Sequence, residues 1–444
     1  VPVNLNFTAG RDAMISAIQQ CGIRTIVTSR IFVGKARLEE MEGMVFVEDL
    51  MKQMTPLQKV QAGLLALFLP ARLLATPCPD GERSPQALAT VIFTSGSTGI
   101  PKGAMLSHQN IISNVEGLAQ VFWVTKADRL MGALPFFHSF GFTGSLWFPL
   151  LAGFGVVYHA NPLDAKTIGE MVSRYQATIL IGTPTFYAAY LRKCSAEEFA
   201  SLRLAITGAE KLRESIARAF KAKYGLDLLE GYGCTELAPV VSVNTQDFER
   251  GAYRQTGFKP GTVGHPIPGV AVQVVDPETG KTLPPGKEGL LLVKGPNRML
   301  GYLGQPEETA EVVRDGWYVT GDIASVDEDG FISITDRLSR FSKIGGEMVP
   351  HIKLEEVINA ILGEDASVVT AVPDEQKGER LVALYTHKEI TPERLWERLG
   401  QTDLPKLWIP KREHLYAVGS IPMLGTGKVD LRKVKLMAVE RARG

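Results

Sequence analysis

Short apolar, β-branched runs alternate with helix-period stretches through about residue 240, and this alternation constrains the fold more than any other feature. The runs Thr25-Ile26-Val27-Thr28, Thr90-Val91-Ile92-Phe93 and Thr178-Ile179-Leu180-Ile181 read as strands. Between them lie helical patterns such as Ile168 to Tyr175 and Leu212 to Tyr224. Strand–helix alternation of this kind predicts a layered α/β domain with mainly parallel strands. From about 261 to 335 the texture changes. The turn pairs Pro268-Gly269, Pro285-Gly286, Asp315-Gly316 and Asp329-Gly330 separate short strands, which predicts a β-rich subdomain. From about 336 onward a compact α/β pattern returns, with a helix expected over Leu354 to Leu362. The expected organisation is a large domain over 1–336 and a small one over 337–444. No internal repeat or low-complexity segment interrupts it.

The 444 residues are 45% hydrophobic and 22% charged with a formal net charge of zero, which suits several large cores and gives no reason to expect nucleic-acid binding. Cys21, Cys78, Cys194 and Cys234 are widely spaced and form no CxxC pair, so a disulfide framework or zinc site is not expected and a reducing, cytoplasmic setting is. No secretory signal opens the sequence. It starts at Val1 in a strand-like run, from which we expect that part of a larger N-terminal domain lies upstream.

The stretch Gly63 to Leu74 is apolar nearly all round and broken by Pro70. It is shorter than the roughly 20 residues that cross a bilayer. Preceded by Lys52 and Lys59, it could lie on a membrane surface, or it could be a buried or subunit-contact helix.

The run Thr94-Ser95-Gly96-Ser97-Thr98-Gly99-Ile100-Pro101-Lys102-Gly103 follows the strand at Thr90–Phe93. Its glycines let the backbone approach a ligand, and successive N–H groups, three hydroxyls and Lys102 could cradle phosphate oxygens. No GxxxxGK[ST] register fits, which weighs against a P-loop NTPase.

This run resembles the phosphate-binding signature of the adenylate-forming superfamily, which includes acyl-CoA synthetases, firefly luciferases and nonribosomal peptide adenylation domains. Further resemblances follow in that family's order. Pro135-Phe136-Phe137-His138-Ser139-Phe140-Gly141 is similar to its aromatic–His motif and Thr207-Gly208-Ala209-Glu210 to its adenine-side loop. Gly231-Tyr232-Gly233-Cys234-Thr235-Glu236 is similar to the motif that holds adenine and magnesium, and Tyr318-Val319-Thr320-Gly321-Asp322 to the ribose motif. Asp336-Arg337 with Lys343-Ile344-Gly345-Gly346-Glu347 resembles the hinge region, and Gly425-Thr426-Gly427-Lys428 the catalytic lysine loop.

The resemblance implies a role for each position. Thr94 to Gly99 and Lys102 would hold the β- and γ-phosphates of ATP. Gly208, Ala209, Glu210, Gly231, Tyr232 and Gly233 would surround adenine, with Tyr232 stacking on it. Thr235 would donate to the α-phosphate and Glu236 would bind Mg²⁺. Asp322 would accept both ribose hydroxyls, Arg337 would contact ribose or phosphate, and Lys343 belongs to the nucleotide-binding set. Lys428 would bridge the carboxylate and α-phosphate in the transition state. His138 would gate or line the acyl pocket, against the plainer alternative of a core histidine. The family's small C-terminal domain is mobile about a hinge. Its pivot, Asp or Lys in the family, falls here on Ser339.

Within the superfamily the chain is most similar to the acyl–acyl-carrier-protein synthetase domains of bifunctional 2-acylglycerophosphoethanolamine acyltransferases. Val1 to Gly10 and Arg340 to Val349 carry that similarity. It implies a medium- or long-chain fatty acid substrate and acyl carrier protein as acceptor, with CoA as the nearest alternative. Apolar residues near Phe136, Phe137, Gly141, Thr183 and Gly208 would line the acyl pocket. The remaining alternatives are a non-catalytic binding relative and a P-loop kinase or ATPase, the last disfavoured by the absent GxxxxGK[ST] register.

Overall fold

The computed structural model describes residues 1–69, 73, 84–94, 101–251, 253–344, 347–374, 378–387, 389–423 and 429–443, except for the side chains at 339, 343, 348 and 443. The chain forms two compact units, one of residues 1–272 and 293–318, the other of residues 273–292 and 319–444.

The first unit is built on a seven-stranded sheet. Strands Gly155–Tyr158, Arg129–Gly132, Ile179–Gly182, Leu204–Thr207 and Leu228–Gly233 run parallel in that spatial order. Beyond the last of them the direction reverses, and Val240–Val243 and His265–Pro266 add on antiparallel. Successive strand residues face opposite sides. Met131, Leu180, Ala205 and Leu228 therefore pack on one face, under helices Ala165–Tyr175, Pro184–Lys193 and Glu214–Tyr224. Leu130, Ile179, Ile181, Leu204, Ile206 and Leu229 pack on the other face, against helix His108–Phe122. Each such aliphatic side chain contributes about 1.5–3 kcal/mol by leaving water. A separate three-stranded sheet orders Gly301–Tyr302, Lys102–Ser107 and Leu88–Thr94.

The strand-like opening run forms no strand. The segment from Val1 has no ladder partner among the described residues and is held by side chains instead. Thr90 Oγ1 donates to Pro2 O, and Asn4 Nδ2 donates to Phe136 O.

The stretch from Gly63 falls in helix Pro56–Phe68, none of whose residues is buried. Thr55 and Gln58 close a capping box at its start. Residues 70–72 and 74 of the apolar stretch lie outside the described residues. No described helix is long and apolar enough to cross a membrane.

In the second unit, residues 322–326 pair with Ile332–Arg337, and Asp322 falls opposite Arg337. Further on, Phe341–Ile344, Glu347–Pro350, Ser367–Asp374, Gly378–Tyr385 and Leu415–Ala417 share a sheet. Alternation again sorts the two faces. Leu381, Ala383 and Tyr385 meet helices His351–Leu362 and Pro392–Leu399, while Val382 and Leu384 meet helix Leu431–Arg443. All four glycines of the expected turn pairs have positive φ, at residues 269, 286, 316 and 330.

Candidate nucleotide and carboxylate site

Parallel strands deliver their carboxyl ends to one edge of the sheet, where open α/β sheets bind ligands. Strand Leu204–Thr207 ends in Gly208-Ala209-Glu210, and its neighbour Leu228–Gly233 ends in Gly231-Tyr232-Gly233. The two loops approach backbone to backbone. A Cβ on Gly208 would lie 3.2 Å from Gly231 O. Ala209 stands exposed with φ at 69°. The Glu210 carboxylate accepts from Thr185 N and, at 2.7 Å, from Thr185 Oγ1, which pins the loop to the first turn of helix Pro184–Lys193. Tyr232 is half-buried. After Gly233 the chain doubles back, Cys234 N donating to Pro239 O at 3.0 Å, and Thr235–Leu237 forms a single tight turn.

The aromatic–His segment meets this turn. Ser139, fully buried, has its Oγ 3.0 Å from Thr235 Oγ1, and Thr143 Oγ1 donates to Ala238 O at 2.8 Å. His138 is exposed and not a core residue; its Nδ1 accepts from Phe140 N at 3.3 Å. Phe136 packs edge-on to Tyr158, and Phe137 edge-on to Phe7. Gly141 admits no side chain, because a Cβ there would fall 2.2 Å from Pro135 O. The next six residues, Phe142–Trp147, wind as a π-helix, a form that recurs at functional sites. Ser145 Oγ, Trp147 Nε1 and Thr183 Oγ1 are buried there with no hydrogen-bond partner among the described residues.

The glycine-rich run enters from the hairpin of Leu88–Thr94 and Lys102–Ser107, in which Thr94 pairs with Lys102. Ser95, Gly96, Ser97, Thr98 and Gly99 lie outside the described residues. Strand Lys102–Ser107 takes Gly301–Tyr302 on its other edge, with Ala104 opposite Tyr302. From there Tyr302 donates its hydroxyl to Glu236 Oε1 at 2.8 Å, and Lys102 Nζ stands 5.2 Å from the centre of the Tyr302 ring. Glu236 is 8% exposed. The Lys102 ammonium, at the foot of the glycine-rich run, and the buried Glu236 carboxylate thus share one aromatic ring. A lone carboxylate suits Mg²⁺, which takes one or two protein oxygens and fills its octahedron from phosphates and water. Among the described residues no group of three or more His, Cys, Asp or Glu could hold a metal by itself.

The sequence reading gave no role to three of these residues. Ser139 and Tyr302 bond Thr235 and Glu236 directly. Glu230, one residue before Gly231, is buried and accepts from Leu212 N at 3.0 Å, and burial pushes its carboxyl up to about 7. A glutamate inside an otherwise apolar strand was the available signal for it.

In the second unit, Arg337 Nε lies 3.3 Å from Asp322 Oδ1; Asp322 is buried and Arg337 exposed. Ser339 sits in the turn Leu338–Arg340, next to an arginine that pairs with Asp336 and Glu355. Lys343 is on strand Phe341–Ile344 opposite Met348, and its side chain lies outside the described residues. Gly345, Gly346 and the whole loop Gly425 to Lys428 also lie outside them.

Residues 1–303 match the AMP-binding enzyme family. A long-chain-fatty-acid–CoA ligase of Bacillus subtilis is 32% identical over 375 residues, which cover 82% of this chain and 63% of the relative. The chain therefore spans less than two thirds of that relative's length. A feruloyl-CoA synthase of an Amycolatopsis species is 34% identical over 331 residues, 72% of this chain and 65% of the relative. ATP-bound MatB from Rhodopseudomonas palustris superposes with a TM-score of 0.79 at 29% identity, covering 98% of this chain and 83% of that one. The o-succinylbenzoate CoA synthetase MenE from Bacillus subtilis, in complex with the intermediate OSB-AMP, shares the fold at a TM-score of 0.79 and 22% identity, covering 98% and 82%.

Proposed function

The chain belongs to the AMP-binding enzyme family, and on that premise we propose that it uses ATP to activate a fatty acid as an acyl-adenylate and then passes the acyl group to a thiol. A carboxylate oxygen attacks the α-phosphorus, the bond to the bridging oxygen breaks, and pyrophosphate leaves. The thiol then attacks the acyl carbon and AMP leaves. Two anions must meet in the first step, so catalysis rests on positioning and charge.

One observation carries the proposal. Thr235 and Glu236 are joined to the aromatic–His segment through Ser139 and to the phosphate-run hairpin through Tyr302. Acid-binding and phosphate-binding elements thus converge on two residues. In this reading Thr94 to Gly99 and Lys102 hold the leaving pyrophosphate. Gly208 to Glu210 and Gly231 to Gly233 frame adenine, and Thr235 donates to the α-phosphate. Glu236 holds Mg²⁺, which when bound neutralises phosphate charge. Asp322 and Arg337 take the ribose, Lys343 contributes to nucleotide binding, and His138 lines the acyl entrance. Lys428 bridges the reacting oxygens from a lid domain that we place at 337–444, pivoting near Ser339.

For the acceptor, CoA becomes the first reading, because relatives at 32–34% identity are named for CoA ligation. Acyl carrier protein, expected from the resemblance, is the second. Incubation with ATP, Mg²⁺, a panel of fatty acids and either CoA or holo-carrier protein tests both steps. Acid-dependent pyrophosphate release that falls at least a hundredfold in Lys428→Ala is expected, with turnover on CoA. Turnover on carrier protein alone would reverse the acceptor, and well-folded protein that releases no pyrophosphate would mark a binding relative. Peripheral contact of the exposed helix Pro56–Phe68 with lipid belongs to the same proposal, because a fatty acid partitions into bilayers.

A further inference from the structure

We propose that Tyr302 is a positioning residue that holds the Glu236 carboxylate in its metal-binding orientation and ties that orientation to Lys102. The inference rests on the reading of Glu236 as the Mg²⁺ ligand.

Tyr302 is fixed on several sides. Its backbone pairs with Ala104, on the strand that begins at Lys102. Its N–H donates to Thr309 Oγ1 at 2.9 Å, and Thr309 Oγ1 in turn donates to Gln305 O at 2.7 Å. The residue before it has to be glycine. Gly301 has φ at 150°, and a Cβ there would lie 2.8 Å from Thr309 Cγ2. Tyr318, also buried, hydrogen-bonds the Tyr302 hydroxyl.

With its ring 7% exposed and its backbone pinned, the hydroxyl stays within hydrogen-bond reach of Tyr318 and donates its proton to Glu236 Oε1 at 2.8 Å. Met299 N holds the Glu236 backbone from the same side, donating to its carbonyl at 2.7 Å. A hydrogen bond to a buried carboxylate fixes its rotamer and leaves the second oxygen to bind elsewhere. The Lys102 ammonium over the ring adds an attraction that depends on the same ring orientation. Rotation of the ring would therefore disturb the lysine and the carboxylate together.

Two variants of the full chain separate the parts. Tyr302→Phe keeps the ring and removes the hydroxyl; Tyr302→Leu removes both. The readout is binding of a fluorescent ATP analogue, titrated with Mg²⁺ and without turnover. Loss of a hydrogen bond to a charged group corresponds to about a tenfold change or more. In Tyr302→Phe the apparent dissociation constant for Mg²⁺ rises by that factor, while nucleotide binding without Mg²⁺ holds at the wild-type level. Excess Mg²⁺ moves its pyrophosphate release back toward wild type. In Tyr302→Leu the KM for ATP rises too, and Mg²⁺ does not restore it. Thermal unfolding confirms that Tyr302→Phe is folded. Wild-type Mg²⁺ dependence in Tyr302→Phe, or equal weakening with and without Mg²⁺, overturns the proposal. Wild-type protein that binds Mg²⁺-nucleotide but releases no pyrophosphate with any acid defeats the proposed function alone, since the binding titration still reads the Tyr302 role.

Discussion

His351 is buried at the start of its helix, with the Ser342 hydroxyl 2.6 Å from Nε2. Burial, with Arg340 and Lys435 nearby, pushes its imidazole down to about 3, against an unfolded value of about 6.5. The fold thus excludes the proton. The stability this contributes is full above pH 6.5 and is lost as pH falls toward 3. Asp336 works the other way. Burial, opposed by Arg340, pushes it up to about 6, so its contribution is full below an unfolded value of about 4 and gone above 6. Glu355, also raised by burial, shares the Asp336 sign. Comparing wild type with His351→Gln isolates the histidine. The stability difference between them should shrink by about 3 kcal/mol from pH 6.5 to 4, at about 1.4 per unit. Urea unfolding at a series of pH values measures it, and a difference flat with pH would sink the idea. Cys194 offers a second check. Its Sγ donates to Ala165 O at 3.1 Å, and burial pushes the thiol up to about 12. Iodoacetamide should label it only when the protein is unfolded, as read by peptide mass spectrometry. Neither residue's surroundings were legible in the sequence, because burial comes from elements far along the chain.

Strands and loops were more legible. The alternation of β-branched runs with helical patterns places Ile179–Gly182, Ala165–Tyr175 and Glu214–Tyr224 within a few residues, since side-chain period alone decides which faces can be buried. The opening run misled, because apolar composition makes a strand only where a ladder partner exists. At the turn after Leu228–Gly233 the glycine is obligatory, and its motif shows that. A Cβ on Gly233 would lie 2.1 Å from Pro239 O. Gly233→Ala should cost about 1–3 kcal/mol through forced backbone shifts and abolish nucleotide binding. Thermal unfolding and analogue titration check both effects. Helix Pro56–Phe68 carries its own prediction. Leu64, Leu67 and Phe68 are 51%, 78% and 76% exposed. Each would contribute about 1.5–3 kcal/mol on entering an apolar phase. The protein should co-sediment with phospholipid vesicles, and Leu67→Glu with Phe68→Glu should release it; unchanged sedimentation would remove lipid as the partner of this helix.

Across the whole chain, the order of seven motifs carries the function more than any one of them. Glycines at strand ends and a lone glutamate are common singly, and their sequence of appearance is not. What the order leaves out is how the motifs touch. Ser139 to Thr235 and Tyr302 to Glu236 join segments 96 and 66 residues apart, with no periodic signal to announce them. A double variant of Ser139→Ala and Tyr302→Phe tests whether these joints act through the same centre. Its loss in kcat/KM should differ from the product of the single losses, the mark of residues that share partners. Simple multiplication would show two independent supports.

The edge strand Gly301–Tyr302 also bears on how the protein is made. Chains emerge from the ribosome at about 5–20 residues/s, N-terminal part first. Glu236 is therefore synthesised several seconds before the tyrosine that bonds it, and through that interval its carboxylate and the outer edge of Lys102–Ser107 await their partners. The Tyr302–Glu236 bond is thus made late in synthesis, and a nascent chain halted near residue 290 would display an unfinished edge for chaperones to shield.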